Sequence, residues 1–419
     1  MSARVRFVHA ADLHLGAPFA GVSAEDERVR RALVDAPYRA LDAIVELCLG
    51  ERVDFLVLAG DVYNAAERGV RPQLALADAA QALAEAGIRV FITHGNHDPA
   101  RGGQTVARLP DTVHVFAHDS VERVVFERDG EPVCALYGRS FGRRDVSENL
   151  AAGFRRDPAD EIAVAVLHAN VGGRQGYDDY APCTVGDLAA AGMDYWALGH
   201  IHEPGIVAET PLAVYAGAPQ GMDPTQTGQR GCYLVTVERG AARAEFVPLA
   251  SVVWESCTAD VSGLVTLDEV EDRLELLCRD AAGAWSRPVV IRVDLMGRSE
   301  VHGVLGKPGA LTALVERVRA RTVSGEPWVW LDRVRDATAA PVDLDAIRAG
   351  SDLSADIVAI ADELASDRDA VARELENALD PLLAKLRAAG VDASLDGIET
   401  SVVERARDIV LDALLAREA

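Results

Sequence analysis

The amino-acid sequence predicts an α/β fold for residues 1–250, with two stacked sheets flanked by helices. Short runs of β-branched and aromatic residues alternate with Ala- and Leu-rich stretches of helical periodicity, a pattern typical of layered α/β proteins. Several of the apolar runs end directly in Asp, His or Asn. Because ligands of open α/β sheets bind at the carboxyl ends of the strands, this second observation predicts a functional site at that edge.

The elements of this first region are placed from local sequence signals. A helix is predicted from Ser23, a suitable N-cap residue, to about residue 49, with a break or kink at Pro37. A second helix is predicted over residues 72–86. Strands are predicted over residues 113–116, 121–126 and 133–137, with a turn at 129–130, and strands over 206–208, 213–216, 232–237 and 244–247 are predicted to complete the second sheet.

The pattern changes after residue 250, which predicts two further regions. Residues 251–340 are expected to form a small α/β domain, with helices at about 267–278 and 311–321 and strands at 289–295 and 328–336. Residues 338–341 read as a linker. Residues 341–419 are expected to be a helical tail, with amphipathic helices over 353–364, 369–386 and 400–415.

The hexad Thr-His-Gly-Asn-His-Asp at residues 93–98 is the centre of the chemical pattern. It follows an apolar run at residues 88–92, so its carboxamide and imidazole groups are predicted to follow a buried strand. Four other apolar runs end in the same way, with Asp12 and His14, with Asp61, with His168, and with His200 and His202. Seven of the ten His residues of the chain fall within these short segments, so they are not randomly scattered.

This combination of side chains indicates a metal site. Neutral imidazoles, ionised carboxylates and an Asn carbonyl are the ligands expected for borderline divalent ions such as Mn, Fe, Zn or Co. A single Asn-His-Asp loop is more often a turn with local hydrogen bonds, and a lone His is more often part of a core. Five strand ends that carry such groups, with no Cys among them, favour the metal site.

The motifs resemble those of the calcineurin-like metallophosphoesterase superfamily over roughly the first 250 residues. The matching set is Asp-x-His, Gly-Asp, Gly-Asn-His-Asp, a strand-end His and Gly-His-x-His, in this order. Residues 11–15, 167–173, 180–183 and 196–202 resemble more narrowly the YhaO and SbcD type of DNA repair exonuclease, the nuclease subunit of SbcC-SbcD-like complexes. Residues 216–221 are similar to the Gly-x-Pro-Gln stretch of that type.

The resemblance implies a four-layer α-β-β-α metallophosphoesterase sandwich, a small α/β capping domain, a helical tail and two divalent ions. Mn is the leading expectation, with Fe, Zn, Co or Mg as alternatives. One ion would be held by Asp12, His14, Asp61 and His202, and the other by Asp61, Asn96, His168 and His200, so that Asp61 bridges.

The resemblance also suggests roles for residues beside these ligands. His97 would face the substrate and stabilise charge or protonate the leaving oxygen, while Asp98 would orient its ring. The chain departs from many relatives in that Gly-Asp-x-x is followed by Asn64, a neutral residue that cannot act as a base. Arg139, Arg143 and Arg144 form a cluster that could clamp phosphate, although a solvated cluster at a helix start is an equally good interpretation.

The leading functional hypothesis is therefore a Mn-dependent phosphodiesterase that acts on DNA, as exonuclease or endonuclease in repair, with an SMC-like coiled-coil ATPase as partner. The tail at residues 341–419 would bind that ATPase or pack on its own capping domain. A homodimer formed through the first helices is a further expectation. Two alternatives stay open: a phosphoesterase for a small nucleotide or phosphoprotein, and a non-catalytic scaffold subunit.

Composition limits these hypotheses. The net charge of −24 argues against a broad grip on nucleic acid, because affinity for phosphate backbones comes chiefly from Lys and Arg. The chain has no long apolar run free of charges and begins without a signal-like segment, so we expect a soluble, cytoplasmic protein with no membrane contact. Its six Cys residues include no CxxC pair, which indicates reduced thiols.

Overall fold

The computed structural model describes residues 3–19, 26–64, 69–101, 106–174, 176–388 and 401–415. The chain divides into two units, residues 1–255 with 285–290 and residues 256–284 with 291–419. The elements of the first unit, in chain order, are β1 (Arg4–Ala10), α1 (Glu27–Glu51), β2 (Phe55–Ala59), α2 (Val70–Glu85), β3 (Arg89–Thr93), β4 (Val113–Val115), β5 (Glu122–Arg128), β6 (Glu131–Arg139), β7 (Ala163–His168), α3 (Val185–Ala190), β8 (Tyr195–Gly199), β9 (Gly205–Glu209), β10 (Leu212–Tyr215), β11 (Gly231–Glu238) and β12 (Ala241–Pro248).

Two six-stranded sheets organise the first unit. The first has the strand order β12-β11-β1-β2-β3-β4, and β1 to β4 run parallel. The second has the order β5-β6-β7-β8-β10-β9, with β6, β7, β8 and β10 parallel and an antiparallel strand at each edge. Strands such as β2 and β7 are buried along their whole length because both faces of each sheet are covered.

Apolar side chains from the two sheets pack against each other and fix the sandwich. Phe7 and Phe55 of the first sheet stack with ring centroids 4.7 Å apart, and Tyr195 of the second sheet meets Phe7 edge-on at 5.5 Å. Helices α1 and α2 cover the outer face of the first sheet, while α3 and the long loops cover the second. The predicted α/β class with two sheets between helices is confirmed.

The position of β11 and β12 differs from the prediction. They do not complete the second sheet: β11 pairs antiparallel with β1, with Val5 opposite Val237, and β12 pairs with β11. Strand periodicity identifies a strand but does not select its neighbour, because the pairing of β1 with β11 joins residues more than two hundred positions apart.

Helix α1 also differs in its start and its course. Its first residue is Glu27, and the carboxylate of Asp26 accepts hydrogen bonds from the main-chain N–H groups of Arg28 and Val29. The predicted N-cap, Ser23, lies outside the described residues. The predicted break at Pro37 is wrong, since the helix continues for 25 residues with Pro37 on its buried face. Tertiary packing of that face outweighs the hydrogen bond that Pro37 cannot make.

The second unit contains most of a three-stranded sheet in the order β13-β14-β15 and the helices around it. The elements from residue 253 onward are β13 (Val253–Asp260), α4 (Leu267–Trp285), β14 (Val289–Arg298), α5 (His302–Leu305), α6 (Ala310–Thr322), β15 (Val329–Ala339), α7 (Leu344–Arg348), α8 (Leu353–Ser366), α9 (Arg368–Ala388) and α10 (Ser401–Leu415). Strand β13 and the short helices α5 and α7 were not anticipated from the sequence. No helix within the described ranges has the length and apolarity needed to cross a lipid bilayer.

Part of the helical tail packs within this second unit. Arg298 at the end of β14 pairs with Asp408 of α10, and the Asp412 carboxylate accepts a hydrogen bond of 3.2 Å from the main-chain N–H of Ala340. Leu411 of α10 is completely buried. The packing interpretation of the tail is therefore observed for α10, and binding of an ATPase by other faces of the tail stays a prediction.

Replacing Asp26 by Ala is expected to destabilise the first unit by about 1 kcal/mol, because two N–H groups of α1 lose their partner. Urea denaturation followed by circular dichroism would measure the change in the free energy of unfolding. Asp26→Asn keeps an oxygen acceptor and is the matched control. An Ala variant as stable as the Asn variant would contradict the capping role.

Candidate metal centre

The polar residues that end β1, β2, β3, β7 and β8 converge in the first unit. Asp12, His14, Asp61 and His200 all have positive φ angles, of 53°, 44°, 51° and 98°. Such angles are rare for residues other than Gly and persist where the surrounding structure enforces them. Here main-chain hydrogen bonds do so: the N–H of Asp12 donates to the Gly60 carbonyl and that of His14 to the Asp61 carbonyl, both at 3.0 Å.

The predicted ligands include two groups of three residues, and within each group the ligand atoms are close enough together to bind one ion. Asp12, His14 and His202 each offer one ligand atom, and these atoms all lie within 4.8 Å of one another. The same holds for Asp12, Asp61 and His168. Nε2 of His14 lies 3.1 Å from Nε2 of His202 and 3.8 Å from Oδ2 of Asp61. The structure thus brings together side chains separated by up to 190 positions in the sequence.

The surroundings of His168 require a cation or a proton. Its Nδ1 lies 3.0 Å from the Ala59 carbonyl, which can only accept, so Nδ1 carries a hydrogen. Its Nε2 faces Oδ1 of Asn96 at 3.0 Å and Oδ2 of Asp61 at 3.4 Å. In the neutral imidazole three lone pairs would point at one another, an arrangement that a divalent ion among them would stabilise. The donor set therefore fits a metal ion.

Protonation equilibria agree with this assignment. Burial lowers the pKa of His14 to about 3 and the pKa values of His200 and His202 to about 4, so all three are neutral ligands at pH 7. Burial also acts to lower the pKa of His168, but the facing Asp61 carboxylate outweighs it and the pKa rises to about 9. Burial raises the pKa of Asp12 to about 8. Burial opposes ionisation of Asp61, yet the adjacent His168 holds its pKa well below the usual range.

Three Gly residues of the motifs allow the close approach. A Cβ on Gly60 would lie 2.4 Å from Nδ1 of His168, and one on Gly199 would lie 2.0 Å from the Ala59 carbonyl oxygen. A Cβ on Gly95 would lie 2.3 Å from Oδ1 of Asp61. These contacts are too short for any side chain, so Gly precedes Asp61, Asn96 and His200 for steric reasons.

His97 lies nearer to the ligands than the sequence suggested. Its main-chain N–H donates to Oδ1 of Asp61 at 2.8 Å, and its ring contacts that of His14 edge-on, with centroids 4.7 Å apart. A ring nitrogen of His97 also lies within 4.8 Å of ligand atoms of His14 and Asp61. The residue can therefore reach either an ion or a substrate bound to it.

Asp98 has partners other than the expected ring of His97. Its Oδ2 accepts a hydrogen bond of 2.9 Å from the N–H of Val62, and its Oδ1 accepts one of 2.7 Å from the N–H of Gly95. The imidazole paired with it is that of His94, at 3.7 Å. Asp98 is completely buried, so it fastens the hexad loop to the segment that follows Asp61.

A cavity of about 600 Å³ opens beside these residues. Its lining residues are Asp61, Asn96, His97, Gly176, Tyr177, Asp178, His200, His202, Glu203, Asp223, Thr225, Gln226, Thr227 and Arg230. Asp178 holds His200, since Nε2 of that imidazole lies 2.8 Å from the Asp178 carbonyl, which leaves Nδ1 free to bind an ion. The candidate ligands therefore form one wall of a space large enough for a nucleotide.

Sequence reasoning missed several of these lining residues. Nε2 of Gln226 lies 2.8 Å from Nδ1 of His202, while Oε1 of Gln226 accepts a hydrogen bond from the N–H of Met222. Gln226 and Arg230 contact His202 across 24 and 28 positions of the chain, and no short pattern marks either of them. Gln220, which does belong to a motif, is buried and bonds to the main chain at Val252, so it is structural.

The predicted Arg cluster is only partly assembled. Arg139 and Arg143 line a second cavity of about 280 Å³ together with Arg101 and His118. Arg144 is not among its lining residues and lies beside Tyr180. The loop that follows β6 is tied to the hexad loop, because Phe141 donates to the His94 carbonyl at 3.0 Å and accepts from Ala100 at 2.8 Å. The two arginines are thus anchored next to the candidate metal centre.

Comparisons with known proteins agree with the geometry. The model of the calcineurin-like phosphoesterase family matches residues 5–204, and that of the middle domain of metallophosphoesterase YhaO matches residues 254–339. The chain is 34% identical over 337 residues to the uncharacterized metallophosphoesterase YhaO of Bacillus subtilis, which covers 79% of this chain and 81% of that protein.

Two further relatives have more specific descriptions. The DNA double-strand break repair protein Mre11 of Methanopyrus kandleri is 26% identical over 373 residues, covering 82% of this chain and 75% of its own length. The SbcD subunit of the nuclease SbcCD from Bacillus subtilis is 23% identical over 341 residues, covering 71% of this chain and 82% of its own length.

Binding of Mn²⁺ to the metal-free protein is expected to release protons at pH 7. Asp12 and His168, with pKa values raised to about 8 and 9, hold protons there and must lose them to become ligands. The apparent affinity should accordingly rise with pH and level off above about pH 9. Calorimetry at pH 7 in two buffers of different ionisation enthalpy would count the protons.

The matched variant for this measurement is His168→Gln, which should release fewer protons than the wild-type protein. A binding heat that does not depend on the buffer at pH 7 would contradict the raised pKa values.

Proposed function

Because the chain belongs to the calcineurin-like metallophosphoesterases, which makes it a metal-dependent hydrolase of phosphate esters, we propose that it cleaves DNA as the nuclease partner of an SMC-like ATPase. The observation that carries the proposal is the convergence of Asp12, Asp61, Asn96 and His168 with three further imidazoles beside an open cavity. Relatives described as a DNA repair protein and as a nuclease subunit support DNA as the substrate.

Two ions would be held as the motifs suggest. Asp12, His14, Asp61 and His202 would bind one, and Asp61, Asn96, His168 and His200 would bind the other, with Mn as the leading candidate. When bound, such a pair supplies an activated water and stabilises charge on the entering and leaving oxygens. The protein's own contribution is to hold seven ligands at fixed main-chain positions, so that little reorganisation is needed.

His97 is proposed as the residue that acts on the substrate. It lies at the cavity wall, half-buried, with its main chain fixed by Asp61, and its ring can donate a proton to a leaving oxygen or a hydrogen bond to a phosphate oxygen. Asp98 would support this role through the loop that carries His97 rather than through the ring itself.

Arg139 and Arg143 are proposed to bind the DNA backbone, together with Arg101 in the same small cavity. A local cluster is needed because the chain carries a net charge of −24, which repels nucleic acid at long range. Arg144 remains part of the proposal as an exposed neighbour. The ATPase partner, a homodimer and a cytoplasmic location are further parts of the proposal.

A second candidate function is hydrolysis of a small nucleotide. It is favoured by the acidic rim of the larger cavity, where Asp178, Glu203 and Asp223 would repel a long polyanion more strongly than a mononucleotide. The size of the cavity, about 600 Å³, accommodates either a strand end or a free nucleotide.

Asp61→Ala and His202→Ala are expected to lower the hydrolysis of bis-p-nitrophenyl phosphate in Mn²⁺ buffer by about 100-fold or more, since each removes a proposed metal ligand. Release of p-nitrophenol would be measured against time. Asp111→Ala is the matched control, because the Asp111 side chain is 97% exposed. If both site variants kept full activity and unfolded at the wild-type temperature, the assignment of Asp61 and His202 to the metal site would be wrong.

Replacing Arg139 and Arg143 together by Met is expected to lower cleavage of linear duplex DNA by about tenfold, because two phosphate contacts are lost, and to leave bis-p-nitrophenyl phosphate hydrolysis unchanged. Gel assays with duplex and single-stranded DNA would be run beside the chromogenic assay. Arg108→Met, at a side chain that is 90% exposed, is the control. Robust hydrolysis of the small substrate with no cleavage of either DNA would favour the small-nucleotide function.

A further inference from the structure

Arg230 differs from the other arginines of the first unit in its burial. It precedes β11 and is only 7% exposed, and within the described part of the first unit it is the one buried arginine. One terminal nitrogen donates a hydrogen bond to the His202 carbonyl, and the other donates to the Thr227 carbonyl at 3.0 Å. These two bonds hold the guanidinium in a fixed orientation.

The charge of Arg230 has no direct counterion among the described residues. Its hydrogen-bond partners are neutral carbonyls, its Nε has no partner, and it takes part in no ion pair. Burial lowers its pKa, and Tyr177, Glu203 and Asp223 act in the opposite direction from a distance. An Arg side chain stays protonated in proteins, so this is a buried positive charge without a partner, an arrangement that is costly unless an anion binds there.

Arg230 lines the same cavity as the candidate metal ligands. Asp61, Asn96 and His97 lie on its wall, and Arg230 is the one permanently charged cation among the described lining residues. His202 connects the two parts, because its carbonyl accepts from Arg230 while its Nε2 faces His14. The guanidinium is therefore on the main-chain side of His202, and the other candidate ligands are on its ring side.

We propose that Arg230 is a substrate-binding residue that receives the phosphate next to the one being cleaved, so that the site prefers a nucleotide chain to an isolated phosphodiester. Each terminal nitrogen of the guanidinium carries a second hydrogen that can donate to a phosphate oxygen, and a neighbouring phosphate is the anion that every nucleic-acid chain presents. The acidic residues Glu203 and Asp223 line the same cavity and disfavour anion binding at other points of its wall. The proposal rests on the proposed phosphodiesterase activity.

The test compares thymidine dinucleotide, which has one phosphodiester, with the trinucleotide, in which each scissile bond has a neighbouring phosphate. For the wild-type protein in Mn²⁺ we expect kcat/KM per bond to be at least tenfold higher for the trinucleotide. Arg230→Met should abolish this preference, through a higher KM for the trinucleotide, so that kcat/KM per bond becomes the same for the trinucleotide and the dinucleotide. Arg230→Lys should retain part of it, and the exposed Arg239→Met, the matched control, should retain all of it.

A purely structural role for Arg230 predicts a different result. If Arg230 served only to hold the His202 carbonyl, Arg230→Met would lower the activity on all three substrates equally and reduce bound metal, and the proposal would be overturned. Equal wild-type rates on dinucleotide and trinucleotide would overturn it as well. Metal content and thermal unfolding of each variant accompany the kinetics.

A binding measurement tests the role of Arg230 independently of the proposed phosphodiesterase activity. If the wild-type protein cleaves none of these substrates, the activity fails, and Arg230 is judged by the anisotropy of a fluorescein-labelled thymidine trinucleotide in Ca²⁺. Binding at least tenfold weaker in Arg230→Met than in Arg239→Met supports the phosphate site. Equal or undetectable binding in both overturns it.

Discussion

The meeting of oxygen and nitrogen lone pairs around His168 is the constraint on which the rest of the structure depends. Asn96 and Asp61 both direct acceptor atoms at its Nε2, and the Ala59 carbonyl fixes the hydrogen on Nδ1. The lone pairs of these atoms repel one another unless a cation or a proton lies between them. In the metal-free protein His168 carries that proton, with its pKa raised to about 9, and a bound ion would replace it.

The fold supplies the rigidity that keeps these groups together. The ligands follow strands whose faces are covered on both sides, and their main chains bond across from one strand end to the next. Positive φ angles at Asp12, His14 and Asp61 show that the strand ends store strain, which the surrounding packing balances. Stability of the sandwich and chemistry of the site are thus coupled.

The net charge of the whole molecule and the local charges at the site have opposite effects on the binding of phosphate. A net charge of −24 and the acidic residues around the main cavity oppose binding of a polyanion. Bound divalent ions would reverse the sign of the potential at the ligands, and Arg230 adds one buried positive charge to the same cavity. Recognition of a phosphate chain would therefore depend on a few fixed contacts and would be sensitive to ionic strength.

The sequence by itself determined the α/β class and the chemical nature of the site, because strand ends and their terminal Asp, Asn and His residues are local features. Only the tertiary structure decided which sheet β11 and β12 join, and that Asp98 fastens a loop instead of the His97 ring. It also revealed Gln226 and Arg230 as contacts of His202. Those outcomes depend on which distant segments become neighbours, and residue periodicity carries no information on such pairings.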